Sequence, residues 1–344
     1  MKFDGYVKKI EISLQQRHRL IILISIVITI ALAVRLIFAS IVQHPGHGDY
    51  AFYYTVAENL VSGRGFQVDY LGHYLSNPEN ITHSSNDYWM PLTSIIISLS
   101  LFVFGKSLFT GLLPSILFGM ALFPLTYFFS KTYTNSRFVA FCSAGLILFI
   151  PSLFSASLLT DSMIYYTLFV SLSLFFMVKA RTNPKFFLLS AVCTGLAHLT
   201  RQDGALLFLT LLIVILFSPM QRKTKDIYLL LTLTLYLFIL SPLLIDNYKT
   251  FGSPFPKGPS KTMFLTEYED LYSYSKELTL GTYLNWGYQN IILSKIKTGI
   301  SNANTIYILL KDFLIIFAIV GILDLVISPN KRKRWGIYLS PILF

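Results

Sequence analysis

PLTSIIISLSLFVFG, residues 91–105, decides how the rest of the chain is arranged. It is almost wholly apolar, yet it stops after 15 residues. A helix that crosses the hydrocarbon core of a bilayer needs about 20 apolar residues. Runs of more nearly spanning length surround it, at 20–42, 108–130, 137–157, 161–178, 185–200, 204–219, 227–245 and 306–328. A last run starts at Trp335 and is cut off at Phe344, which reads as a truncated chain. Basic clusters separate the runs: residues 1–19, Lys131–Arg137, Lys179 to Lys185, Arg222 to Lys225, and Lys331 to Arg334. Positive clusters next to spans stay cytoplasmic. All five share one side only if an even number of spans separates each from the next. That condition makes 91–105 an interfacial or re-entrant helix within a first outer loop, 43–107. It places the N-terminus in the cytoplasm, and Asp49, Asp161, Arg201, Asp203 and a second large loop, 246–304, on the outer side. Were 91–105 a true span, Asp161 and Arg201 would lie opposite Asp49, and four of the five clusters would be outside.

Composition agrees with a membrane protein. The chain has 344 residues, 54% of them apolar and 13% charged, against roughly 25% charged in soluble domains. Helical run lengths, rather than ten-residue alternation, select an all-α polytopic bundle over a barrel. It reads as one transmembrane domain over residues 1–344. The net charge of +11 sits mainly in the inter-span clusters. It therefore speaks for orientation and for contact with anionic membrane lipids, not for nucleic acid. Cys142 and Cys193 fall inside apolar runs and form no zinc or disulfide pattern. The first run is longer than a signal-peptide core and lacks a small-residue cleavage site.

The chemistry-bearing residues concentrate at the outer side. The stretch HPGHGDYAFYYTVAENLVSGRGF, residues 44–66, has helical spacing after Asp49 and a Ser62-Gly63 stop. Asp49 has two compatible roles, an N-cap and a general base. As a mere cap it would leave the aromatic face of its helix to dock on the membrane surface. Arg35 interrupts the first span; it either snorkels to headgroups or pairs with an acid such as Asp161 or with a lipid phosphate. Asp161 opens a span as a cap or as a second functional acid. His198, Arg201 and Asp203 occupy one outer turn, where the planar Arg fork suits phosphate and where a bare Arg–Asp pair would contribute little. His44, His47, His73 and His83 share the first loop. With Asp49 they would allow a divalent metal, although no zinc-like spacing supports one; no other cofactor is indicated. Pro254, Pro256 and Pro259 with Gly252 and Gly258 argue against a helix there, in a loop that supplies Lys249, Lys257 and Lys261.

Four pieces in order resemble the GT-C glycosyltransferases, especially the family 39-like branch of protein O-mannosyltransferases and aminoarabinose transferases. They are the loop pattern around Asp49, FGKSLFTGLLPSILFGM at 104–120, GLAHLTRQDG at 195–204 and SPLLIDNYKTFGSPFP at 241–256. The resemblance implies a GT-C-type helical bundle with juxtamembrane helices in its first outer loop. It implies an inverting transfer of sugar from a polyprenyl-phosphate-linked donor to a lipid, glycan or protein hydroxyl outside the cytoplasm. It makes Asp49 the base and Asp161 a second acid. The substrate-binding set is then Arg35, Tyr53, Tyr54, Arg64, Asp161, Arg201, Asp203 and Lys257, with Phe66 beside the sugar or acceptor. The membrane would be the cell membrane of a prokaryote or the endoplasmic reticulum of a eukaryote. The chain departs from the pattern at Tyr50, Leu113 and Asp246, where relatives often carry an acid, an arginine and an arginine. The competing readings are a transporter or flippase for a lipid-linked substrate and a non-catalytic truncated homologue.

Overall fold

The computed structural model describes residues 17–76 and 79–327. The basic segment before residue 17 and the last apolar run, from Trp335, lie outside the described residues. The protein is an all-α membrane bundle. Its chain order is α1 (Arg17–Ile41), α2 (Asp49–Val61), a two-stranded ribbon of β1 (Gln67–Val68) and β2 (His83–Ser84), α3 (Leu92–Phe104), α4 (Leu108–Thr134), α5 (Arg137–Phe149), α6 (Pro151–Ala156), α7 (Met163–Ala180), α8 (Phe186–Thr200), α9 (Gly204–Leu216), α10 (Arg222–Phe251), α11 (Lys257–Lys261), α12 (Leu280–Asn285) and α13 (Tyr288–Ile327). Among the described residues, four helices are long and apolar enough to cross a membrane: the 18–41 part of α1, α4, α7 and α10. Large apolar side chains such as Ile22, Leu117, Leu206 and Phe238 point outward, as lipid-facing positions require.

Three expected spans are shorter than their apolar runs. The 137–157 run breaks at Ile150, because Pro151 starts a new helix and cannot donate to the old one. The 185–200 and 204–219 runs form helices of 15 and 13 residues. The first of these, α8, packs against α7 through small and hydroxyl side chains. Ser173 lies within 2.8 Å of both Ser190 and Thr194, an entirely buried cluster. Interhelical hydroxyl bonds of this kind hold membrane helices together where the hydrophobic effect offers little.

Segment 91–105 folds as α3, 13 residues long. At 1.5 Å per residue it reaches about 20 Å, short of a core of about 30 Å. Ile97 and Leu101 are buried, whereas Leu99, Phe102, Val103 and Phe104 are exposed. That one-sided apolar exposure suits an interfacial helix. A capping box at Ser107 and Thr110 then starts α4 at once.

The aromatic face of α2 does not lie on a membrane surface. Phe52, Tyr53, Val56 and Ala57 are buried in the central cluster with Ile97 and Leu101 of α3, Leu122 of α4, and Ile164, Tyr165 and Leu168 of α7. The amphipathic pattern was therefore a docking signal for protein, not lipid.

Arg35 corrects a further expectation. It neither snorkels nor pairs with Asp161. Its side chain is 1% exposed. Its guanidinium donates to Leu148 O at 2.7 Å, Ser157 Oγ at 2.9 Å and Ala31 O at 3.1 Å, and stacks over Phe154 at 4.8 Å. The last carbonyls of a helix have no intrahelical partner, and α5 ends at Phe149 inside the bundle. Arg35 satisfies one of them and ties α1 to the α5–α6 break. Arg35→Met should leave that carbonyl unpaired and cost about 1–3 kcal/mol of stability. Thermal unfolding in detergent checks this; an unchanged melting temperature would contradict the role.

The 246–304 segment is not a single loop. Residues 246–251 complete α10, and residues from 288 onward belong to α13. A short helix, α11, forms across Lys257–Lys261 despite the prolines. Pro259 falls in its first turn, where a missing N–H costs nothing. The connection folds back over the first loop. Lys261 Nζ donates to Leu75 O at 2.5 Å, and Tyr74 N donates to Leu271 O at 2.8 Å. Asp270 anchors its distal half. Burial alone would raise that carboxyl, but Lys276, Thr266 and the Glu267 amide donate to it and hold it at about 2.

Candidate active site

The loops gather at one end of the bundle. Thr160 Oγ1 donates to Tyr50 O at 2.8 Å, Gln202 Nε2 to Tyr88 O at 2.6 Å, and Asn86 Nδ2 to Asp246 Oδ2 at 3.2 Å. At this end lies a polar cavity of about 230 Å³, lined by Asp49, Tyr53, Tyr88, Trp89, Met90, Thr200, Arg201, Gln202, Asp203 and Thr262.

Asp49 is the first residue of α2, not its cap. Gly48 holds the cap position at φ 63°, a left-handed conformation that suits glycine, and no side chain caps the helix. The Asp49 carboxylate instead accepts from Trp89 Nε1 at 3.0 Å. Its place in the first turn still gains from the helix dipole. Tyr53, one turn further along the same face, lines the same cavity. Burial keeps the Tyr53 and Tyr88 phenols above their usual range, so both are neutral hydroxyls at physiological pH.

Arg201 ends α8 in an extended conformation. Its Nε donates to Asp203 Oδ2 at 3.2 Å and its Nη1 to Ser162 Oγ at 3.4 Å, while the guanidinium lies 5.9 Å from the Tyr166 ring centre. Burial works against its charge, but Asp203, through its charge and its hydrogen bond, leads the groups that keep the cation protonated. Asp161 sits behind the cavity wall. It does not cap α7, whose cap position is Ser162. Asp161 Oδ1 accepts from Ser162 N and Ser162 Oγ. Burial pushes its carboxyl above the usual range; the Ser162 amide opposes this and Asp49 adds to it. Ser162 thus links Asp161 and Arg201.

Of the expected site residues, the cavity brings together Asp49, Tyr53, Arg201 and Asp203, with Asp161 reached through Ser162. Tyr54 points the other way, 2.8 Å from where a Cβ on Gly111 would sit. Arg35 is buried in the bundle as described. Arg64 pairs with Asp69 at 2.7 Å and lines, with Phe66, His83 and Asp246, a separate cavity of about 420 Å³. Lys257 opens α11, and its side chain lies outside the described residues. The loop histidines divide into two places. The His44 and His47 rings are 6.4 Å apart, whereas His73 and His83 flank Asp87 at 3.7 and 3.8 Å. Among the described residues, no group of three or more His, Cys, Asp or Glu side chains is arranged to hold a metal. Trp89, Tyr88, Met90, Gln202 and Thr262 were not singled out from the sequence. Only Gln202 lay inside a motif already noted.

A second, apolar cavity of about 370 Å³ adjoins the first. His198, Leu240, Leu243, Leu244, Pro254, Phe255 and Pro259 help to line it, and it shares Met90 and Gln202 with the polar cavity.

A multi-span helical protein that folds its loops around a carboxylate and an arginine in one polar chamber is built as a membrane-embedded enzyme is built. Residues 88–245, a little under half of the chain, match the family described as dolichyl-phosphate-mannose-protein mannosyltransferase. The match supports a membrane glycosyltransferase of the GT-C superfamily, mannosyltransferase-like in type. No curated protein and no solved structure matches the chain. The matched stretch contains Trp89, Asp161, Arg201 and Asp203. Asp49 precedes it, so its assignment stands on the cavity geometry and on the loop motif.

Proposed function

We propose that the polar cavity transfers a sugar from a polyprenyl-phosphate-linked donor to an acceptor hydroxyl, with inversion, on the extracytoplasmic face. The observation that carries this reading is the pairing of the two cavities. A chamber with a carboxylate and a guanidinium shares Met90 and Gln202 with an apolar chamber between α8, α9, α10 and the 254–260 segment. An amphiphilic donor, with a charged phosphate and a hydrocarbon tail, matches that division.

The chemistry follows from the residues. The acceptor oxygen attacks the anomeric carbon as Asp49 takes its proton. The bond from that carbon to the phosphate oxygen breaks, and the departing polyprenyl phosphate gains negative charge. Arg201 stabilises this charge, aimed by Asp203 and by the Ser162 hydroxyl. A single displacement of this kind inverts the anomeric centre. Tyr88, at the cavity wall, offers an aromatic ring for the apolar side of a sugar. The extracytoplasmic orientation rests on the basic clusters and the positive-inside rule.

The test is a comparison of donors. Protein reconstituted in lipid nanodiscs should transfer labelled mannose, or another monosaccharide, from polyprenyl phosphate to membrane-extracted acceptors at least about tenfold faster than from a sugar nucleotide, because only the lipid-linked donor fills both chambers. Equal or faster transfer from the nucleotide would overturn the proposal.

A further inference from the structure

The geometry points to Trp89 as the positioning residue for Asp49: its indole N–H fixes one carboxylate oxygen so that the other is presented to the cavity. This rests on Asp49 being the base of the proposed reaction, and the tests below separate the two ideas. Asp49 stands at the start of α2, where a side chain is ordinarily free to rotate into water. Gly46 and Gly48, both at positive φ, precede it and offer no side chain to hold it. Among the described residues, the single hydrogen bond to its carboxylate is the one from Trp89 Nε1 to Oδ1, at 3.0 Å. Oδ2 is left for a substrate.

The indole is itself immobilised. Phe52 stacks on it with ring centres 4.0 Å apart and planes at 28°. Tyr88 meets it edge-on at 4.9 Å, and His73, 4% exposed, lies at 5.1 Å. Its far edge rests on Gly72, where any Cβ would come within 2.8 Å of Cη2. Gly72 is thus required by close approach. Phe52 and Asp49 belong to the same helix, three residues apart. Trp89 therefore grips α2 twice, by a stack and by a hydrogen bond, and the carboxylate plane follows from a ring that has nowhere to turn.

The choice of donor has a chemical consequence. An indole N–H is a neutral donor with no acceptor capacity. It orients a carboxylate without placing a cation beside it, so the full negative charge remains available to the incoming hydroxyl. Proton abstraction depends on near-attack geometry, and a displacement of about 1 Å can cost about a hundredfold in rate. A group that holds the base by its idle oxygen meets that need.

Two measurements test the inference. In the first, Trp89 is replaced by 3-benzothienylalanine, which keeps the bicyclic shape and the stack on Phe52 but has sulfur in place of N–H. W89F is made alongside, and polyprenyl phosphate mannose is the donor probe. We expect kcat to fall about 10- to 100-fold with the donor KM within about twofold of wild type. A wild-type kcat in the isostere would overturn the positioning role and leave Trp89 as a packing residue. D49N is assayed in parallel. If D49N is inactive and the isostere is fully active, the Trp89 inference alone falls. If D49N turns over normally, the base assignment falls with it. The second measurement needs no donor. In protein carrying ¹⁵N-indole label, the Trp89 N–H resonance, assigned by its loss in W89F, should move upfield in D49A. An unmoved resonance would show that the indole does not bond the carboxylate and would overturn the inference.

Discussion

Asp49→Asn should lower sugar transfer by about a thousandfold while leaving the fold intact. General-base catalysis contributes about 10²–10⁴ in rate, and asparagine has no basic oxygen. The substitution is otherwise mild. Its amide oxygen can still accept from Trp89, which now donates to Asp49 Oδ1. The helix it starts is held by Phe52, Tyr53, Val56 and Ala57 in the central cluster, not by Asp49 itself. The lost charge at the helix start costs about 0.3–1 kcal/mol, too little to unfold a helix so deeply packed. Transfer rate, elution profile and melting temperature of the variant together check this. Retained turnover would remove Asp49 from the chemistry.

Arg201→Ala should reduce kcat by about 10²–10³, the usual consequence of removing a preorganised donor to developing negative charge. The donor KM should rise less, because the leaving phosphate carries more charge in the transition state than in the bound donor. Arg201→Lys should fall between wild type and alanine, since it keeps the charge and loses the two-pronged fork. Neither change should threaten the fold. The Arg201–Asp203 pair is partly exposed, with side-chain exposures of 34% and 59%, and pairs of that kind contribute at most about 1 kcal/mol. Steady-state kinetics with the lipid-linked donor separates kcat from KM. A variant with normal kcat would move phosphate binding to another cation.

The helical character of the chain and several residues of the candidate site were legible because they rest on local pattern and on charge. Apolar run lengths gave α1, α4, α7 and α10, and the short 91–105 run gave α3 as a short helix, although α5 and α9 prove to be no longer than it. The spacing after Asp49 gave α2 with its stop at Ser62 and Gly63. What escaped the sequence depends on distant partners. Aspartate and glycine both favour the cap position, and only the turn at Gly46–Gly48 decides that Gly48 takes it. Arg35 looked functional because a membrane arginine is costly. Its partners are a carbonyl freed by a proline break 113 residues away and a serine hydroxyl 122 residues away, and no local pattern announces either. Tyr53 and Tyr54 are neighbours in an aromatic run, yet a helix turns them to different sides, one to the cavity and one to Gly111. Trp89 stands 40 residues from Asp49, just ahead of α3, and only the folded first loop brings it to the carboxylate. Lys257 and the other loop lysines drew notice for their charge, whereas this segment contributes Thr262 to the polar cavity and Pro254, Phe255 and Pro259 to the apolar one.

In the proposed reaction one ligand occupies both chambers, with its phosphate at Arg201 and its sugar before Asp49. The most direct measurement is a cryo-electron microscopy structure of the D49N protein in nanodiscs with polyprenyl phosphate mannose bound. Phosphate density should lie against the Arg201 guanidinium, the sugar in the cavity beside position 49 and Tyr88, and the chain past Met90 and Gln202 in the cavity lined by Leu240 and Leu243. Phosphate density beside Arg64 in the separate cavity, with the Arg201 chamber empty, would contradict this placement.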